Sequence, residues 1–115
     1  MDVKRFDGNG RMSKAVIAGD MIYFCGQTSR DGGNLAEQTR VVLKKIDDLL
    51  ETYGSDRKHL VTVQVYLKDI SQFNEFNAIY DEWIINGYEP TRACVEAKMA
   101  AEQILVEIVV SAAKK

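Results

Sequence analysis

The sequence predicts an α+β fold of order β-β-β-α-β-α-β-β, with two helices on one face of a sheet. Three observations carry this. The segments after Asn34 and after Ser71 repeat apolar residues with the 3.6-residue period of an amphipathic helix. Leu60–Leu67 and the two runs around Arg92 and Glu107 are rich in β-branched residues and of strand length. Two short apolar runs, Ala15–Ala18 and Met21–Cys25, flank Gly19-Asp20, the pattern of a tight β-hairpin.

In chain order, Val3–Phe6 reads as a short strand closed by the turn Asp7-Gly8-Asn9-Gly10. The hairpin follows. Gly26-Gln27 ends its second strand, and a glycine there lets another backbone or a ligand come close. Cys25 reads as a small core residue. Ser29–Gly33 is a polar loop. Asn34 takes the N-cap position of the first helix, and Glu37 three residues on completes a capping box. Val42, Leu43, Ile46, Leu49, Leu50 and Tyr53 form the buried stripe. Lys44, Lys45, Asp47, Asp48 and Glu51 form the solvated side, and Gly54 is the stop. His59 falls at the surface. In Leu60–Leu67, Val61, Val63, Val65 and Leu67 take one face, and Leu60, Thr62, Gln64 and Tyr66 the other.

Asp69 or Ser71 caps the second helix, whose stripe is Phe73, Phe76, Ile79, Tyr80, Trp83 and Ile84. Asn77 lies beside that stripe, either as a satisfied structural amide or as a group reaching into a site. Gly87 stops the helix and Pro90 keeps it from resuming. Two helices cover one face of the sheet. The other would carry residues such as Leu60, Tyr66, Leu105 and Val109, and each large apolar side chain left in water forgoes roughly 1.5–3 kcal/mol. Symmetric self-association is therefore expected.

A chain of 115 residues is expected to form one domain, 1–115. With a net charge of −2 and its Lys and Arg scattered among acids, it offers no basic face to nucleic acid or an anionic membrane. No apolar run is long enough to span a bilayer, and the first residues do not read as a leader, so a cytoplasmic location is expected. Cys25 and Cys94 lie far apart, and with His59 the single histidine there is no zinc set; a reducing compartment is the default. Gly8-Asn9-Gly10 lacks the third glycine and following helix of a dinucleotide fingerprint, and no Walker-type loop is present. No metal, nucleotide or other cofactor is expected.

The chemistry concentrates between Pro90 and Ile108. Alternation puts Arg92, Cys94 and Glu96 on one face of their strand, and sets Glu107 opposite to Val106 and Ile108 on the next. A guanidinium and a carboxylate in buried-looking strands are costly unless paired or given a role. One reading is structural: an ion pair of Arg92 with Glu107 or another acid, or an edge strand with its charges in water. The other is a pocket in which Arg92 clamps a small carboxylate through a bidentate bond and Glu107 handles a water. Cys94 has no histidine nearby in sequence, which argues against a thiolate nucleophile.

Pro90-Thr91-Arg92-Ala93-Cys94-Val95-Glu96, with Val106-Glu107-Ile108 following, resembles the C-terminal signature of the RidA/YjgF family, the reactive-intermediate deaminases. The likeness extends through Ala15–Gly19, Cys25-Gly26-Gln27, Gln38-Thr39, Ile46, Val65–Asp69, Phe76-Asn77 and Tyr80, essentially the whole chain. It implies a chorismate-mutase-like mixed sheet, a homotrimer whose sheets form a central barrel, and three ligand clefts between subunits. It also implies that Arg92 binds the substrate carboxylate, that Glu107 orients water, that the backbone at Cys94 meets the substrate nitrogen, and that Asn77, Cys25 and Gly26 line the pocket. One departure stands out. Many members carry Gly-Pro-Tyr-Ser where this chain has Gly10-Arg11-Met12-Ser13, so Met12 removes a hydroxyl and a flat ring from the implied pocket, which bears on substrate preference.

The activity this implies is hydrolysis of 2-imino acids, formed from enamines such as 2-aminoacrylate, to 2-keto acids and ammonia, with no cofactor. Two other classes compete: a trimer that binds small carboxylates or keto acids without turnover, and a ribonuclease or translation inhibitor. The acidic balance and the lack of a histidine pair weigh against the last.

Overall fold

The strand expected at Leu60–Leu67 lies between two long neighbours, and the rest of the fold follows from how the chain reaches them. In the computed structural model, which describes residues 1–115, the strands are β1 (Val3–Phe6), β2 (Ala15–Ala18), β3 (Met21–Phe24), β4 (Gln27–Thr28), β5 (Leu60–Leu67), β6 (Thr91–Glu96) and β7 (Val106–Ala113). The helices are α1 (Leu35–Thr52) and α2 (Phe73–Trp83). The sheet runs β1-β2-β3-β7-β5-β6, with β4 also paired to β7. Only β5 and β6 pair in parallel. The sheet is therefore mixed, as the family resemblance implied.

A parallel neighbour cannot be reached by a tight turn. The chain leaves β5, crosses through α2 and returns as β6. The same holds from β4 through α1 to β5, because both strands run antiparallel to β7 and so parallel to each other. Crossovers of one hand put both helices on one side of the sheet. There Val42, Leu43, Ile46 and Leu50 of α1, with Phe76, Tyr80 and Trp83 of α2, bury Val63, Val65 and Leu67 of β5 and Val106, Ile108 and Val110 of β7. The opposite face has no helix.

Local signals act where expected at most element ends. Asn34 and Glu37 form the reciprocal capping box, and Gly54, at φ 90°, follows the C-cap Tyr53. Of the two cap candidates for the second helix, Asp69 acts: it accepts from the Ser71 backbone at 2.9 Å and caps a single helical turn, Ile70–Gln72, that runs into α2. That helix ends at Trp83, before Gly87, which belongs to the turn beyond it.

Four expectations are corrected. A bulge between Leu60 and Thr62 sets Leu60 opposite Ala112 and Thr62 opposite Ser111. The extra residue, Val61, turns outward, 38% exposed, while Leu60 joins the core. Leu105 precedes β7 and packs against the core too. The uncovered face thus keeps Tyr66 and Val109 and gains Tyr23 and Val95, 51% and 44% exposed. The short β4 was not foreseen, two residues being too few for a periodicity. Asp47 is no plain solvated acid: it accepts from Trp83 Nε1 at 3.0 Å and pairs with Arg57 Nε at 3.2 Å. No helix is long and apolar enough to cross a membrane.

Candidate active site

Arg92 lies on β6, the strand at one edge of the sheet. Its cross-strand partner is Val63, which in turn pairs with Val110. Directly paired residues share a face, and both valines are buried beneath the helices. Arg92 therefore projects toward α2. Its Nη1 donates to Asn77 Oδ1 at 2.8 Å. Its guanidinium carbon lies 4.8 Å from the ring centre of Tyr80, 5.6 Å from that of Phe73 and 5.9 Å from that of Phe76. Rings at this range attract a cation and hold the planar group in place. No carboxylate forms an ion pair with it. A guanidinium carries five N–H donors, and Asn77 is the only side-chain or backbone acceptor it meets within the chain. A cavity of about 420 Å³ opens beside it, lined by Tyr80, Asp81, Ile84, Asn86, Glu89 and Pro90 as well as Arg92.

Cys94 shares the face of Arg92 two residues on and is half-buried. Burial pushes its thiol above the ordinary value, and the Arg92 charge opposes this only in part. The sulfur is therefore held protonated at neutral pH, which argues against a thiolate nucleophile.

Glu107 belongs to the other side. Its neighbours Val106 and Ile108 are fully buried under the helices, and it pairs across the sheet with Tyr66 and Thr28. Its carboxylate lies against the backbone of Gly26 so closely that a Cβ there would stand 2.0 Å from Oε2. The backbone angle of Gly26 is one any residue adopts, so the glycine is required for close approach rather than for conformation. The sequence predicts that another backbone or a ligand comes close here; the group that does so is instead a side chain, that of Glu107.

Cys25, Gly26 and Met12 line a second cavity, of about 780 Å³, together with Lys14, Gln27 and Tyr53 among others. Cys25 is half-buried at its wall rather than enclosed in the core, and Gln27 Nε2 donates to its carbonyl at 3.2 Å and reaches its Sγ at 3.3 Å. Met12 is 54% exposed on a loop shaped by Asn9, whose Oδ1 accepts from the backbone N–H groups of Arg11 and Met12, both at 3.0 Å.

The seven residues thus form two groups within one chain. Arg92, Asn77 and Cys94 meet on the helix side. The rest are joined only through Gly26: Glu107 lies against its backbone from the helix-free face, while Cys25 and Met12 line with it the cavity bordered by Lys45, Asp48, Leu49 and Thr52 of α1 and by its C-cap Tyr53. Arg92 stands two strands from Glu107 and three residues along, a separation of about 14 Å from strand spacing and rise, with the side chains on opposite faces. The alternative of an Arg92–Glu107 ion pair is overturned by this register. The aromatic cage of Phe73, Phe76 and Tyr80 went unrecognised as part of the site, because an apolar stripe reads as core whether or not a cation rests on it. Asn77 and Tyr80, three apart on one helical face, were the signal. No set of His, Cys, Asp and Glu is arranged to hold a metal ion.

The family model described as Endoribonuclease L-PSP matches residues 3–114. A RutC family protein of Haemophilus influenzae is 37% identical over 114 residues, covering 97% of this chain and 98% of the relative. The RutC family protein YoaB of Escherichia coli is 31% identical over 113 residues, covering 98% and 99%. The crystal structure of a member of the YjgF protein family from Neisseria meningitidis matches with a TM-score of 0.95 at 39% identity, covering all of this chain and 97% of that one.

Proposed function

The chain belongs to the endoribonuclease L-PSP family, that of the YjgF and RutC proteins, and we propose that it is a deaminase hydrolysing 2-imino acids to 2-keto acids and ammonia. The observation that carries the reading is Arg92: a guanidinium seated on three rings, held at one corner by Asn77, paired with no acid and open to a cavity. Its free donors match the planar, two-oxygen geometry of a small carboxylate.

The reaction needs a water activator near that carboxylate. Arg92 and Glu107, about 14 Å apart and on opposite faces, cannot both touch a small 2-imino acid such as that from 2-aminoacrylate within one chain, so the reading places the site between neighbours of a homotrimer. The uncovered face with Tyr23, Tyr66 and Val95 supports such an assembly. In the joined cleft Arg92 of one subunit holds the carboxylate, and Glu107 of the next takes a proton from water as its oxygen bonds to the imine carbon. The C=N π electrons move to nitrogen, which takes that proton back from Glu107, giving a neutral carbinolamine. Glu107 then removes the hydroxyl proton and delivers it to the amino group; the O–H electron pair becomes the C=O π bond, the C–N bond breaks with its pair leaving on nitrogen, and ammonia departs. Base assistance is typically worth ~10²–10⁴ in rate, and holding the reactants together adds to it. Imines hydrolyse unaided in water, so no larger acceleration is required.

An amino-acid oxidase that generates the imine in situ provides the assay. Arg92→Ala should abolish turnover while the oligomer, followed by light scattering, stays assembled. Arg92→Lys should also be poor, because an ammonium cannot present a planar fork. Full activity in Arg92→Ala overturns the clamp. A second reading, a trimer that binds keto acids without turnover, is favoured by one feature, the thioether of Met12 where the resemblance has a phenol. Calorimetry with pyruvate or 2-ketobutyrate beside the imine assay separates the two, since binding without turnover supports it.

A further inference from the structure

Tyr80 sits in the middle of the apolar stripe of α2 and is only 5% exposed. Packing alone does not call for a hydroxyl there: Phe73 and Phe76 of the same stripe face the same guanidinium without one. A buried tyrosine hydroxyl ordinarily finds a partner. This one has no acceptor or donor in the chain, yet no polar side-chain atom is left both sealed and unpaired. The small part of Tyr80 still open must therefore include the hydroxyl oxygen, and Tyr80 lines the cavity beside Arg92. Of the rings near the guanidinium, that of Tyr80 lies closest, at 4.8 Å.

We infer that the Tyr80 hydroxyl is a second donor to the carboxylate held by Arg92, making Tyr80 a substrate-binding residue. The inference rests on the carboxylate-clamp reading and adds to it an unassigned group. Arg92, held in place by Asn77, takes one side of the anion, and Tyr80 forms the cavity wall next to it. Burial raises the Tyr80 pKa against the opposing pull of Arg92, so the phenol keeps its proton and serves as a donor across the working pH range.

Tyr80→Phe tests this, because it keeps the ring under the guanidinium and removes only the oxygen. A lost hydrogen bond to a charged group should weaken pyruvate binding, measured by calorimetry, by about tenfold or more. KM for the imine should rise by a similar factor with kcat little changed. Arg92→Ala is measured in parallel. If Arg92→Ala loses pyruvate and Tyr80→Phe binds as wild type, Tyr80 is removed from the site and the clamp stands. If Arg92→Ala binds as wild type, the clamp itself falls and Tyr80 with it. A lowered Tm with unchanged Kd marks a structural role and overturns the inference. Should Tyr80→Phe not fold, wild-type crystals soaked with pyruvate decide. A carboxylate oxygen within about 3 Å of the Tyr80 hydroxyl supports the assignment; one bonded to Arg92 alone refutes it.

Discussion

Replacing Gly26 by alanine perturbs Glu107 without altering its chemistry. The added Cβ would stand 2.0 Å from Oε2, 3.0 Å from the carboxyl carbon and 3.3 Å from Cγ of Glu107. Ordinary contact begins near 3.4 Å, so the carboxylate oxygen must retreat by about 1.4 Å. The group that yields is the far end of a flexible side chain on the helix-free face, and the backbone at position 26 tolerates alanine. The fold should therefore survive: the gain from a stiffer unfolded chain, about 0.4–1 kcal/mol, offsets much of the cost of moving one carboxylate. Activity should not survive intact, because a misplacement of about 1 Å in a reacting group costs on the order of 10²-fold in rate. In the oxidase-coupled assay Gly26→Ala is expected to lose about 100-fold in kcat, with Tm shifted by only a few degrees and pyruvate binding retained. Glu107→Gln should behave alike. If Gly26→Ala keeps wild-type kcat, the displaced carboxylate has no part in the rate-limiting chemistry. If it fails to fold, the carboxylate was not free to move.

Other expectations follow from the same coordinates. Gln38 is 1% exposed and its amide donates to Gln103 O at 2.8 Å and Gly33 O at 3.3 Å while accepting from Leu105 N at 2.9 Å; Gln38→Leu strands those backbone groups and should cost about 3 kcal/mol in urea unfolding. The hydrogen bond to Asp7, with burial, pushes the Tyr53 phenol up to about 12. The folded state thus holds this proton more tightly than the unfolded chain, whose phenols titrate near about 10. That stability is complete below about pH 10 and is lost as pH rises through about 12. Tyr53→Phe should remove both this alkaline dependence of the unfolding midpoint and the phenolate absorbance step near about pH 12. Cys94→Ser should remain active, and the raised thiol should alkylate slowly at neutral pH; loss of turnover in Cys94→Ser with pyruvate binding intact would revive the nucleophile.

The elements themselves were legible because their signals are local. The capping box at Asn34 and Glu37, the turn at Gly19-Asp20 and the stripe from Val42 to Tyr53 depend on residues a few positions apart. The same holds for the alternation that set Arg92 with Cys94 and Glu107 against Val106 and Ile108. Val61 shows where this stops: four alternating residues predicted its face, and one bulge, invisible in composition, reversed it and drew Leu60 inward.

By itself the chain determined which residues share a face in the unbulged stretches of strand, where the first helix starts and which stripe that helix buries, since backbone geometry and a period of two or 3.6 dictate these; the face of Val61 and the start of α2 at Phe73 lay outside it. It did not determine which face is which. Whether Arg92 looks toward a helix and Glu107 away from it depends on the register of β5 against both β6 and β7, set between residues some 30 to 50 positions apart. Nor did spacing say whether the guanidinium was matched by an acid. That was decided by the crossover of α2, which brings an amide and three rings over Arg92 where a carboxylate would have neutralised it. A charge is answered by what lies nearest in space, and only the packed chain says what that is.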